Sequence, residues 1–284
     1  MRNETILGGL DPELLEQVGT RREALRGASR WGMNLALASV PLALAGMAKS
    51  AFAQSGLPAG IVNVLNFALT LEELEAEFYV TGMNTSGLIP AGDRQIFGTI
   101  RDHEVAHVQF LRNVLGSDAA AKPTFDFTAG GMFTPFSDYG QFQALAQAFE
   151  DTGVRAYKGQ AANLLPNKAV LRAALTIHSV EARHASEVRR LRGGFADQEP
   201  QQGWITLNLR GTGMPAATQP IYDGEEVVTQ AGINIGTLPG AATGSTIGAN
   251  AASESFDEPL TREQVLAIVD AFIVGDVDGD GTEA

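Results

Sequence analysis

Two copies of one short pattern, Glu104-x-x-His107 and Glu181-x-x-His184, constrain this chain more than any other feature of it. Residues three apart on a helix lie side by side on one face and aim the same way. Each pair follows an isolated glutamate, Glu72 or Glu150, by about thirty residues. Four helices offering Glu, Glu-x-x-His, Glu, Glu-x-x-His to a common axis make a carboxylate-rich site for two metal ions. The chain has only 4 histidines, and two of them fall in this arrangement.

Hydrophobic periodicity supports the same reading. Helical segments are expected over about Gly60–Met83, Asp93–Leu115, Ser137–Leu164 and Lys168–Arg192. Segments of this length span about 35 Å, the scale of a bundle. In the second, Phe97, Ile100, Glu104, His107, Leu111 and Val114 follow steps of three and four. The fourth repeats this with Ile177, Glu181, His184, Val188 and Leu191. The charged residues therefore lie within the apolar stripe, on the face that turns to the core. Buried charge is costly unless it is paired or binds metal.

The first segment places Leu65, Leu69, Glu72, Ala76 and Tyr79 on one face, although Glu75 could face inward in place of Glu72. The third places Ala146, Glu150, Gly153 and Tyr157 together, while Asp151 points about 100° away. Gly153 is a poor helix former and leaves room beside the metals for a small ligand. His103 and His178 are read as solvated, or as lying behind the ligands. The fold class is all-α: a four-helix bundle over 57–193, then an irregular extension over 194–284. Within the extension, Trp204–Leu209 and Glu226–Thr229 look extended. Residues 194–256 are expected to wrap the bundle or to form a dimer contact. A fifth helix is expected over Thr261–Ile273, with Thr261 and Gln264 as a capping box.

Composition narrows the chemistry. With 0 cysteines, disulfides, thiolate metal sites and iron–sulfur clusters are excluded. Histidine and carboxylate ligands suit Fe or Mn, and the sequence does not choose between them. A formal net charge of −13 argues against nucleic acid or an anionic membrane as partner. No phosphate loop, nucleotide fingerprint or nucleophile elbow is present. Asp276-Val-Asp278-Gly-Asp280-Gly281 resembles the start of a calcium loop without its closing glutamate, and reads as an acidic tail.

Residues 1–53 read as an export signal. Thr20-Arg21-Arg22-Glu23-Ala24-Leu25-Arg26 resembles the twin-arginine motif, with Ala24 where Phe is usual. An apolar stretch from Met33 to Met47 is too short to span a membrane, which takes about 20 residues. Ala51-Phe52-Ala53 then gives a cleavage pattern. The expectation is a periplasmic or extracellular protein with no membrane anchor after cleavage near Ala53.

The order Glu72, Glu104-x-x-His107, Glu150, Glu181-x-x-His184 resembles the ferritin-like superfamily, especially its rubrerythrin and bacterioferritin branches. Tyr79 and Tyr157, seven residues after Glu72 and Glu150, match a recurring tyrosine of those families. Leu71-Glu72-Glu73-Leu74-Glu75-Ala76-Glu77-Phe78-Tyr79 is similar to exported, desiccation-related ferritin-like proteins. The resemblance implies Glu72 and Glu150 as terminal ligands, Glu104 and Glu181 as bridges, and His107 and His184 at either end. It implies Tyr79 and Tyr157 as hydrogen-bond donors behind the ligands. Bacterioferritin-like sites often carry an acidic residue directly before the motif glutamate. Here those positions are His103 and Val180, so the histidines are oriented differently.

The function expected is that of a two-metal oxidoreductase acting on peroxide or O2 in stress protection, as a homodimer. The alternative is a non-catalytic envelope or desiccation-stress protein whose metals staple the bundle. A storage shell is disfavoured by the long extension.

Overall fold

A computed structural model describes residues 56–193 and 202–275. The export-type segment and the Asp276–Gly281 motif lie outside the described residues. Four long helices form the core: α1 (Ala59–Asn84), α2 (Arg94–Leu115), α3 (Tyr139–Gln160) and α4 (Lys168–Leu191). α1 packs on α2, α3 on α4, and α1 meets α3 across the middle.

Local chemistry sets the helix ends. Asp138 opens α3 by accepting from the Gln141 amide, and Asn167 opens α4 by accepting from the Ala169 and Val170 amides. These side chains satisfy amide donors that the first turn leaves without partners. α2 stops at Gly116, whose φ of 57° favours a residue without Cβ. α3 is shorter than its periodicity suggests: residues Ala161–Leu164 tighten into a 3-10 turn ahead of Pro166.

α2 and α4 are amphipathic, whereas α1 and α3 are buried on nearly every side. A helix of that kind needs cover on its outer face. For α1 the α2–α3 connection supplies part of it, with Asn66 bonding Asp118 O and the Ala120 amide. At the crossing of α1 and α3, a Cβ on Gly82 would overlap the Phe142 ring. Phe142 stacks on Phe78 with centroids 4.8 Å apart, and Phe149 meets Phe78 edge-on. Such ring pairs add to simple area burial.

α3 is covered by the extension, whose described part does wrap the bundle. Its elements are short: β2 (Thr229–Gln230) pairs with β3 (Ile233–Asn234), followed by α5 (Ala249–Ser253) and α6 (Arg262–Val269). β4 (Ile273–Val274) pairs antiparallel with β1 (Thr124–Phe125) of the α2–α3 connection. Leu260 lies so close to α3 that a Cβ on Gly159 would collide with its carbonyl.

Two expectations for the extension are corrected. Trp204–Leu209 is not a strand. Leu207 has φ of 49° and Thr206 bridges to Leu209, so the chain turns tightly there. Of Glu226–Thr229, only Thr229 enters a strand. The Thr261–Gln264 capping box is present, but α6 ends at Val269 rather than Ile273, because Ile273 leaves the helix to pair with Phe125. Among the described residues no helix is long and apolar enough to cross a membrane.

Candidate metal centre

The helix faces read from the sequence converge at mid-bundle. Glu72 of α1, Glu104 and His107 of α2, Glu150 of α3 and Glu181 of α4 are 0 % exposed, and His184 of α4 is 2 % exposed. They form two groups, Glu72–Glu104–His107–Glu181 and Glu104–Glu150–Glu181–His184, each able to hold a metal ion. Glu104 and Glu181 belong to both. Glu75 also turns inward and is buried, but it belongs to neither group. α1 thus brings two carboxylates to the core rather than one of two candidates.

His107 Nδ1 lies 3.0 Å from Glu72 Oε2, 3.0 Å from Glu104 Oε2 and 3.3 Å from Glu181 Oε1. One ring N–H cannot serve three oxygens, but three oxygens and a nitrogen around one point is how ligands surround a cation. His184 Nδ1 lies 2.8 Å from Glu104 Oε1 and 3.2 Å from Glu150 Oε2. Yet Glu104 Oε1, Glu150 Oε2, both Glu181 oxygens and His184 Nδ1 make no hydrogen bond. These atoms are close without pointing at each other. Buried polar atoms are rarely left so. Among the described residues, no lysine or arginine forms an ion pair with these carboxylates. The donor set, acids plus imidazole with no thiolate, fits Fe or Mn.

Electrostatics carry the same message. Burial pushes Glu72 up to about 7, against the pull of His107. Glu75 and Glu181 are pushed well above the usual carboxylate range, first by burial and then by the surrounding glutamates. Burial raises Glu150 too. Burial acts on Glu104 the same way, but His107 and His184 on either side overcome it and hold the carboxyl low. Burial disfavours charge on both imidazoles as well, and the acids around them win, raising both. Five buried carboxylates without a fixed cation strongly favour taking up positive charge.

The tyrosines cross between the helix pairs. Tyr79 of α1 donates to Glu150 Oε1 of α3 at 2.5 Å, and Tyr157 of α3 donates to Glu72 Oε1 of α1. Each tyrosine therefore steadies the glutamate of the opposite helix. The room expected at Gly153 is taken by carboxylates: a Cβ there would lie 3.2 Å from Glu181 Oε2 and 3.3 Å from Glu75 Oε1. Beside them is a cavity of about 10 Å³ bounded by Glu75, Gly153, Phe149 and Val269, the scale of one water. Asp151 points away from the site, to Arg189. His103 is buried against His184, whereas His178 is half-buried near Asp257.

Sequence reasoning did not assign Glu75 a place alongside Glu72. A glutamate at i+3 from a candidate ligand, on the same face of the helix, is the signal that marks it.

Comparison with protein families matches residues 60–194, from the start of α1 to just past α4, to the ferritin-like domain. These residues are a ferritin-like domain. No curated protein matches the sequence. The match covers the four helices and their acids, and leaves the extension after residue 194 outside the domain.

Proposed function

We propose that the ferritin-like domain holds two ions of iron or manganese and acts as an oxidoreductase on peroxide or O2. The observation that carries this is the pair of four-residue groups sharing Glu104 and Glu181, whose buried oxygens and nitrogens lack other partners. Two such ions would supply two-electron redox chemistry: one peroxide is reduced to two waters while a second is oxidised to O2 and returns the electrons and protons, or O2 is reduced to peroxide by two Fe(II) that become Fe(III). Glu104 and Glu181, common to both groups, would be shared by the two ions, with Glu72 and His107 holding one and Glu150 and His184 the other. Tyr79 and Tyr157 orient the terminal carboxylates and hold a hydroxyl proton within one hydrogen bond of the ligand oxygens. The bundle excludes bulk water, and the water-sized cavity beside Glu75 leaves no room for an organic substrate. The protein is exported by the twin-arginine-type segment before Ala53 and works as a homodimer in the periplasm or outside the cell, in stress protection.

The complete burial of the site favours one other reading: the metals serve as a staple that neutralises the acids and stabilises the bundle. Purified protein loaded anaerobically with Fe(II) or Mn(II) is assayed with peroxide and, for iron, with O2. Turnover lost in Glu104→Ala/Glu181→Ala while the helices persist supports the oxidoreductase. Two bound metals without turnover on either oxidant supports the staple. No bound metal in either loading overturns both.

A further inference from the structure

The site repeats itself across the two helix pairs. Glu72 corresponds to Glu150, Glu104 to Glu181, His107 to His184 and Tyr79 to Tyr157, with the glutamate-to-tyrosine and glutamate-to-histidine spacings the same in both halves. Two buried differences between the halves border the site: Glu75 of α1 falls opposite Gly153 of α3, and, directly before the motif glutamate, α2 carries His103 where α4 carries Val180. Only the second lies behind a candidate ligand histidine. An imidazole can accept a hydrogen bond, but an isopropyl group cannot.

The consequence is visible at the two candidate ligand histidines. His184 faces the acids with Nδ1, and its Nε2 lies 2.8 Å from His103 Nδ1. The two rings are nearly coplanar, 18° apart with centroids at 5.1 Å. That is the arrangement of an in-plane N–H···N bond along a ring lone pair. With Nδ1 turned to the acids, Nε2 carries the hydrogen and donates to His103 Nδ1, which fixes both tautomers. His107 also faces the acids through Nδ1, but its Nε2, equally buried, has no hydrogen-bond partner.

We infer that the two metal positions are inequivalent, and that His103 is the positioning residue that makes the Glu104–Glu150–Glu181–His184 half the tighter and first to fill. This rests on the dinuclear reading above. A partner behind a ligand imidazole orients the ring and makes it a stronger donor, and its loss costs about 10–100-fold in metal affinity. His107 has no such partner, and a ring N–H that stays unpaired on binding weakens its half further.

The test is a Mn(II) titration of metal-free protein, followed by calorimetry and by bound metal per chain after dialysis. The expected result is two binding steps separated by about 10–100-fold in Kd. His103→Leu should weaken the first step towards the second while keeping a capacity of two. His103→Asn, whose Oδ1 falls near the position of Nδ1, should restore the separation. The low-temperature electron paramagnetic resonance spectrum at one Mn per chain gives a second reading. Isolated Mn(II) should dominate in the wild type, and coupled pairs should appear alongside it in His103→Leu. Two equal steps in the wild type overturn the inference and leave the dinuclear reading intact, with no variant needed. An unchanged isotherm in folded His103→Leu removes His103 from the explanation. No Mn(II) or Fe(II) binding by the wild type overturns the dinuclear reading itself.

Discussion

α3 carries a cluster of buried charge on each of two faces, and the two are built to opposite rules. On the inner face Glu150 joins four other carboxylates and two imidazoles, with several atoms unbonded. On the outer face Asp151 takes two bonds from Arg189 and one from Tyr222 at 2.8 Å. Beside it Arg155 pairs with Glu225 at 2.7 Å and donates to the carbonyls of Ile221, Asp223 and Glu258. Glu225 in turn accepts from the Glu258 amide. None of these outer side chains has an unsatisfied buried atom among the described residues. Balanced buried charge holds the molecule together, whereas unbalanced buried charge marks where a cation belongs.

Breaking the balanced cluster should have the largest effect. Arg155→Met leaves Glu225 buried without its cation and is expected to cost about 3–5 kcal/mol, measured by urea denaturation. Metal bound per chain should not change, and Glu225→Leu added to it should recover part of the loss. A fall in metal content would show that the two faces are not independent.

Filling the unbalanced cluster comes next. Free Fe(II) or Mn(II) at about a thousand times the Kd of a site should stabilise the folded chain by about 4 kcal/mol for that site. Glu104→Ala/Glu181→Ala should abolish that gain, read from denaturation with and without metal.

The third effect is pH dependence. The Glu72 carboxyl is raised to about 7 from its ordinary 4.5, so the metal-free fold binds more protons than the unfolded chain between those values. Its contribution is full below the ordinary value and is lost as pH rises through about 7. Glu75, Glu150, Glu181, His107 and His184 are raised and act with the same sign, whereas Glu104 is lowered and opposes them. Metal-free protein should lose stability from about pH 5 to about pH 8, by about 1.4 kcal/mol per pH unit for each extra proton held. Bound metal replaces those protons, so loading should flatten or reverse the trend in melting temperature. A metal-free protein more stable at the higher pH would contradict the burial of these acids.

The smallest effect concerns the outer layer alone. Thr261→Ala removes the α6 capping box and should cost about 1 kcal/mol, with the metal isotherm unaltered.

The bundle and the six candidate ligands were legible because helical spacing writes them directly: Glu and His three apart, inside an apolar stripe. The choice of Glu150 over Asp151 also followed from angle alone. Glu72 and Glu75 were harder, since α1 is buried all round and offers no polar face to rule one out. The contact between His103 and His184 joins positions 81 apart, and its composition signal was only a histidine where an acid was expected. Arg155 and Glu225 could not be found at all. They lie in unrelated segments, and the extension is shaped by 3-10 turns and side-chain bonds to α3 that have no period.

The adjacency of Glu150 and Asp151 limits how the gene can change in length. Each inserted or deleted residue in a helix turns everything beyond it by about 100° relative to what came before. A single insertion between Asp138 and Glu150 must either turn both clusters away from their partners together or be absorbed before the helix begins. Changes in length are therefore best accommodated in the connections over 116–138 and 161–167, while α3 itself behaves as a fixed-pitch screw engaged by threads on both sides.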